Sequence, residues 1–196
     1  MTNDAENVPD PQRITDNLQS GVPARIAAGL AELDRAERRL QFVPVPPPDL
    51  DSLDAFGRGV PEETLLQFLN VWQNYPRFEP APDPSEIRRT LVEAVLRHGG
   101  EQPIAQVGLD VRTDHFPPYA VRDIIHFLMD RDFSSPEEER RAQMLLTHLL
   151  DDATTHDATA DGLATLALLD RHPRLVASLL PLLDENEKEC IRVARE

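Results

Sequence analysis

The chain of 196 residues is long enough for one ordinary domain or two very small ones, and its 40% apolar content excludes wholesale disorder. Twenty basic against 35 acidic side chains leave a net charge of −15, which disfavours direct binding to nucleic acid or to an anionic membrane. A single cysteine, Cys190, excludes an internal disulfide and any multi-cysteine metal site.

Aromatics are only 5% of the residues, so the core must be aliphatic. The acidic excess is spread along the chain: 14 against 7 in residues 1–84, 8 against 6 in 85–134 and 13 against 7 in 135–196. All basic residues but Lys188 are arginine. The first ten residues are polar and acidic, unlike a signal peptide, and the longest nearly apolar run, Leu175–Leu183, is about half a membrane span. The expectation is a cytoplasmic protein with Cys190 reduced.

In chain order, residues 1–12 read as a disordered lead-in, 13–83 as an N-terminal helical segment with proline-rich spacers, and 84–196 as the main helical domain. Ile26, Leu30, Leu33 and Leu40 mark a helix from Pro23, interrupted on its apolar face by Glu37. Val43–Pro48 reads as a polyproline II spacer. After a turn at Phe56–Gly59, Leu65, Phe68, Leu69 and Trp72 form the stripe of a helix that starts at Pro61 and ends near Tyr75. Trp72, Tyr75 and Phe78 read as a plug where that helix meets the next linker.

Asp83, Pro84 and Glu86 announce a helix that carries Ile87, Leu91, Val92 and Val95 to His98 and stops at Gly99-Gly100. A short helix follows over Gln102–Val111, then a loop, Arg112–Pro118, then a helix on Val121, Ile124, Ile125 and Leu128. Ser134 or Ser135 caps the next, whose stripe is Ala142, Leu145, Leu146, Leu149 and Ala153. Leu163, Leu166 and Ala167 carry another to His172-Pro173. Leu175–Leu183, apolar on nearly all sides, predicts a central buried helix kinked at Pro181, and Asp184–Arg195 a short charged one. No window alternates as strands do. The predicted class is all-α.

Phe127–Asp132 echoes Ala167–His172 at an offset of 40 residues, an offset that is similar to the stacking of helix pairs in HEAT-type repeats. The three helices within 85–132 have helix-turn-helix spacing, but the would-be reading helix Pro118–Asp130 carries one arginine, Arg122, against two acids, Asp123 and Asp130, and no strand pair follows for a wing, so DNA is a poor fit.

No phosphate-binding glycine loop, nucleophile elbow or H-E-x-x-H motif is present. Acids flank Cys190 and oppose a reactive thiolate. His148, Asp152 and His156 are four apart, a spacing that aligns them on one side of a helix and offers ligands that zinc or iron accepts. Asp123 and His126 could add to them. His156-Asp157 resembles the dipeptide of HD-type phosphohydrolases, a family that needs a further upstream His and a distant downstream Asp. Thr154, Thr155 and Asp157 favour a helix end before His156, and a stripe on the border of an apolar face is ordinarily a half-exposed rim.

The loop Arg112–Tyr119 concentrates Arg112, His115, Phe116 and Tyr119 in a chain poor in aromatics, with Pro117 and Pro118 to stiffen it. These residue types serve in binding hot spots, and the competing role for Phe116 and Tyr119 is to plug the core. The leading expectation is a non-enzymatic acidic scaffold or adaptor that binds another protein and needs no cofactor. The alternatives are an acidic inhibitor or immunity-type protein that plugs a basic site, and a metal-dependent hydrolase.

Overall fold

A computed structural model describes residues 9–20, 22–39, 43 and 84–195; among these there are nine helices and no strand. The lead-in before Pro9, most of the polyproline spacer, the helix expected from Pro61 and the Trp72–Phe78 plug lie outside the described residues. The chain divides into two compact units, Met1–Ile87 and Arg88–Glu196.

In the first unit, α1 (Pro11–Leu18) and α2 (Pro23–Arg38) pack against each other. Asp10 caps α1 by accepting the amide hydrogens of Gln12 and Arg13, so the chain is already ordered within the expected lead-in. Arg13 pairs with Glu32 at 2.9 Å, and Arg25 donates to Asn17 Oδ1 and the Asp16 carbonyl. These links run in opposite directions along the two helices, which are therefore antiparallel. Ile14, Leu18, Ile26, Leu30 and Leu33 are buried.

The remaining helices are α3 (Pro84–His98), α4 (Glu101–Arg112), α5 (Pro117–Asp130), α6 (Pro136–Leu150), α7 (His156–Leu168), α8 (Pro173–Leu179) and α9 (Glu185–Ala194). Local chemistry sets their limits. Gly99 ends α3, because a Cβ there would stand 2.6 Å from the Val95 carbonyl oxygen. Ser135 caps α6 by accepting the Glu138 amide hydrogen at 3.2 Å. Asp184 and Glu187 form a reciprocal capping box on α9.

From α4 onward each helix packs on the one two places later: α4 on α6, α5 on α7, α6 on α8 and α7 on α9. Contacts fix the directions. Gly108 lies against His148, and four residues further along the chain in each case, at the end of α4 and in the turn after α6, Arg112 faces Asp152. Gly162 meets Ile125, and beyond the ends of the same helices Arg171 donates to the Arg131 carbonyl at 2.7 Å. His156 reaches Glu187 where α7 and α9 begin, and Arg195 donates to the Pro173 carbonyl just past their far ends. In the pairs α4/α6, α5/α7 and α7/α9 the helices run in the same direction, so the turns α4–α5 and α6–α7 and the turn that opens α9 line one edge of the unit. Three of the contacts, Gly108–His148, Arg112–Asp152 and Arg131–Arg171, join residues 40 apart.

Leu175–Leu183 departs from its expected form. Pro181 cannot donate to a helical ladder, so α8 ends at Leu179 and a single 3₁₀ turn, Leu180–Leu182, follows. Leu175, Val176, Leu179 and Leu183 are buried, but Ala177, Ser178 and Leu182 face water. The segment is an outer, one-sided element and not a central buried helix.

Candidate functional site

The loop between α4 and α5 is held from beneath and open above. Asp114 accepts the Phe116 amide hydrogen through Oδ1 at 2.8 Å and Arg88 Nη2 through Oδ2 at 2.7 Å. The other terminal nitrogen of Arg88 donates to Asp123 in the second turn of α5. One guanidinium, mostly buried, thus ties α3 to both the loop and the helix it starts. The Phe116 carbonyl accepts the amide hydrogens of Tyr119 and Ala120, opening α5, and Pro117 and Pro118 fill its first turn.

The backbone is fixed while the rings point out. Phe116 is 60% exposed and Tyr119 68%. His115 stands edge-on to Phe116 at 5.1 Å between centroids, and Phe116 edge-on to Tyr119 at 6.2 Å. In this stretch the residues that enter the core are Ala120 and Val121. Three of the four residues read from the sequence therefore form one exposed aromatic group. Arg112 is not part of it: its Nε donates to the Gly108 carbonyl at 3.3 Å, and its Nη1 lies 3.9 Å from Asp152.

His148, Asp152 and His156 do not share a helix. α6 ends at Leu150, Asp152 lies in the following turn, and His156 opens α7. The break is local. Asp152 turns its carboxylate back onto the Thr154 hydroxyl and amide, which with Arg112 hold it below the usual carboxylate range. Thr155 donates to the Leu149 carbonyl at 2.6 Å and closes the turn. His156 Nδ1 donates to the Leu150 carbonyl at 2.6 Å, and Nε2 lies 3.0 Å from Glu187 Oε1. Both ring nitrogens are engaged with acceptors. The Leu150 carbonyl raises its pKa most, burial opposes it as the next largest effect, and Glu187 and Asp157 add to the rise, so the net shift is upward. Of the proposed additions, Asp123 is bound to Arg88 and His126 is exposed. Among the described residues, no group of three or more His, Cys, Asp and Glu is arranged to hold a metal ion.

Two residues essential to this geometry carry no sequence signal. Arg88 is one arginine of an adjacent pair, and only the folded chain selects it as the clamp. Glu187 belongs to the capping box of α9, and its second task, meeting His156 from 31 residues away, has no local signal. The opposite edge is structural. There Arg131 joins Glu93 and buried Glu138, its guanidinium 5.0 Å from the Phe127 ring centroid, and Arg141 donates to the Leu96 and Arg97 carbonyls that end α3. Burial pushes Glu138 up, but the Ser134 amide and hydroxyl and Arg131 outweigh it and keep the carboxyl below its ordinary range. Cys190 is exposed. No family model, no curated protein and no solved structure matches the chain.

Proposed function

We propose that this chain is a non-enzymatic, acidic helical scaffold that binds another protein through His115, Phe116 and Tyr119. The observation that carries the reading is the exposure of two large aromatic side chains on a backbone clamped by Arg88. Exposed aromatics cost solvation, and a rigid support spares the conformational entropy otherwise lost on docking. Tyrosine is also a residue type on which binding energy concentrates. Contacts between residues 40 apart and the second-neighbour packing of the helices support a HEAT-like, repeat-built scaffold.

The test is the paired substitution Phe116→Ala and Tyr119→Ala. Proteins crosslinked by the wild-type chain in extracts of its own cells are lost from the double variant, while its unfolding free energy moves by no more than about 0.5 kcal/mol. A loss of about 3 kcal/mol or more would make the rings core residues and remove the site.

A further inference from the structure

We infer that the edge carrying the aromatic group binds an extended, positively charged protein segment; this rests on the protein-binding reading above and names the chemistry of its partner. Three successive turns form the edge. The first presents His115, Phe116 and Tyr119. The second, residues 151–157, holds Asp151, Asp152 and Asp157 and no Lys or Arg. The third, which opens α9, holds Asp184, Glu185 and Glu187, and the one lysine nearby is paired with Glu185 at 2.8 Å. Arg112–Asp152 joins the first turn to the second, and His156–Glu187 joins the second to the third.

The placement of the acids matters more than their number. Asp184, Glu185 and Glu187 sit at the start of α9, where capping and the helix dipole account for them. Asp152 is held by Thr154 and Arg112, but Asp151 lies exposed just past the end of α6, where the dipole opposes negative charge, so helix stability does not explain it. The turn that carries these acids is joined through Arg112–Asp152 to the end of the helix that leads into the aromatic turn, whose exposed rings offer apolar contact and open π faces, and arginine satisfies both kinds of surface. Packed helices stand about 8–10 Å apart, so three turns span roughly 20 Å, the reach of about six extended residues. The same acids repel nucleic-acid phosphate and a second copy of this acidic chain.

The probe is a synthetic peptide of about eight residues, arginines with two interspersed leucines, added to the full chain and followed by amide chemical shifts; a peptide with Glu for Arg is the control. The shifts should concentrate in residues 113–119, 151–157 and 184–187. Affinity should fall about tenfold in Phe116→Ala/Tyr119→Ala, several-fold in Asp151→Asn/Asp157→Asn, and further as salt is raised. The wild-type shift map does not depend on how any variant folds. No binding, binding shared by the acidic control, or shifts scattered over the acidic surface would overturn the inference. If the arginine peptide fails while the aromatic double variant still loses its crosslinked partner, the basic chemistry falls and the protein-binding reading stands.

Discussion

At the scale of single residues, close approach and paired acceptors decide most. Gly162 lets α7 lie against α5, since a Cβ there would stand 2.4 Å from Ile125 Cγ1 in the interior of both helices. Gly162→Ala should therefore destabilise by roughly 1–3 kcal/mol in denaturant titration, despite alanine's better helix propensity. His156 gives a dependence on pH. Its folded pKa is raised above the ordinary 6.5, so the stability it confers is complete below that value and disappears as pH rises through the folded pKa. Deprotonation leaves a lone pair on Nε2 facing Glu187. The gap in thermal midpoint between wild type and His156→Gln should shrink from pH 5.5 to pH 8.5. A gap that is constant or grows would show that the imidazolium does not fasten the two helix starts.

At the scale of elements, what the sequence announces is what is decided locally. The cap at Ser135, the stop at Gly99 and the apolar stripes of α5, α6 and α7 are all readable within a few residues. Asp184→Ala should cost about 1 kcal/mol and lower helicity in the last ten residues, measured by denaturant titration and amide shifts. What escapes is decided by distant partners. α1 has only two buried residues, Ile14 and Leu18, too few for a periodic signal, and its packing comes from α2. The 175–183 run departs from its expected form because composition reports how apolar a stretch is and not how many sides are covered. The aromatic loop was legible as a concentration of residue types. Whether its rings face inward or outward depends on Arg88, Asp114 and Asp123, which no local pattern connects.

At the scale of the whole molecule, the −15 charge acts as self-repulsion on the native state. Raising salt from low to moderate levels should lift the thermal midpoint, because screening acts within about 10 Å at 0.1 M. A flat or falling midpoint would mean that ion pairs outweigh repulsion, with Arg88, Arg131 and their partners the first to examine. Stacking on second neighbours has a kinetic side as well. Helices whose main contacts lie about 20–40 residues away close loops of limited length, so the second unit can propagate its structure from any nucleus along the row. Its last member, α9, packs chiefly on α7, fastened at the start of both helices by His156 and Glu187, and just past its end Arg195 donates to the Pro173 carbonyl. That helix should open as a subglobal unit while the rest stays folded. In native-state hydrogen exchange, the amides of 185–194 should exchange through an opening of lower free energy than those of α5 and α7, and the difference should widen above the folded pKa of His156. Equal protection throughout would instead make the second unit a single cooperative block, in which the loss of one imidazole contact is felt everywhere at once.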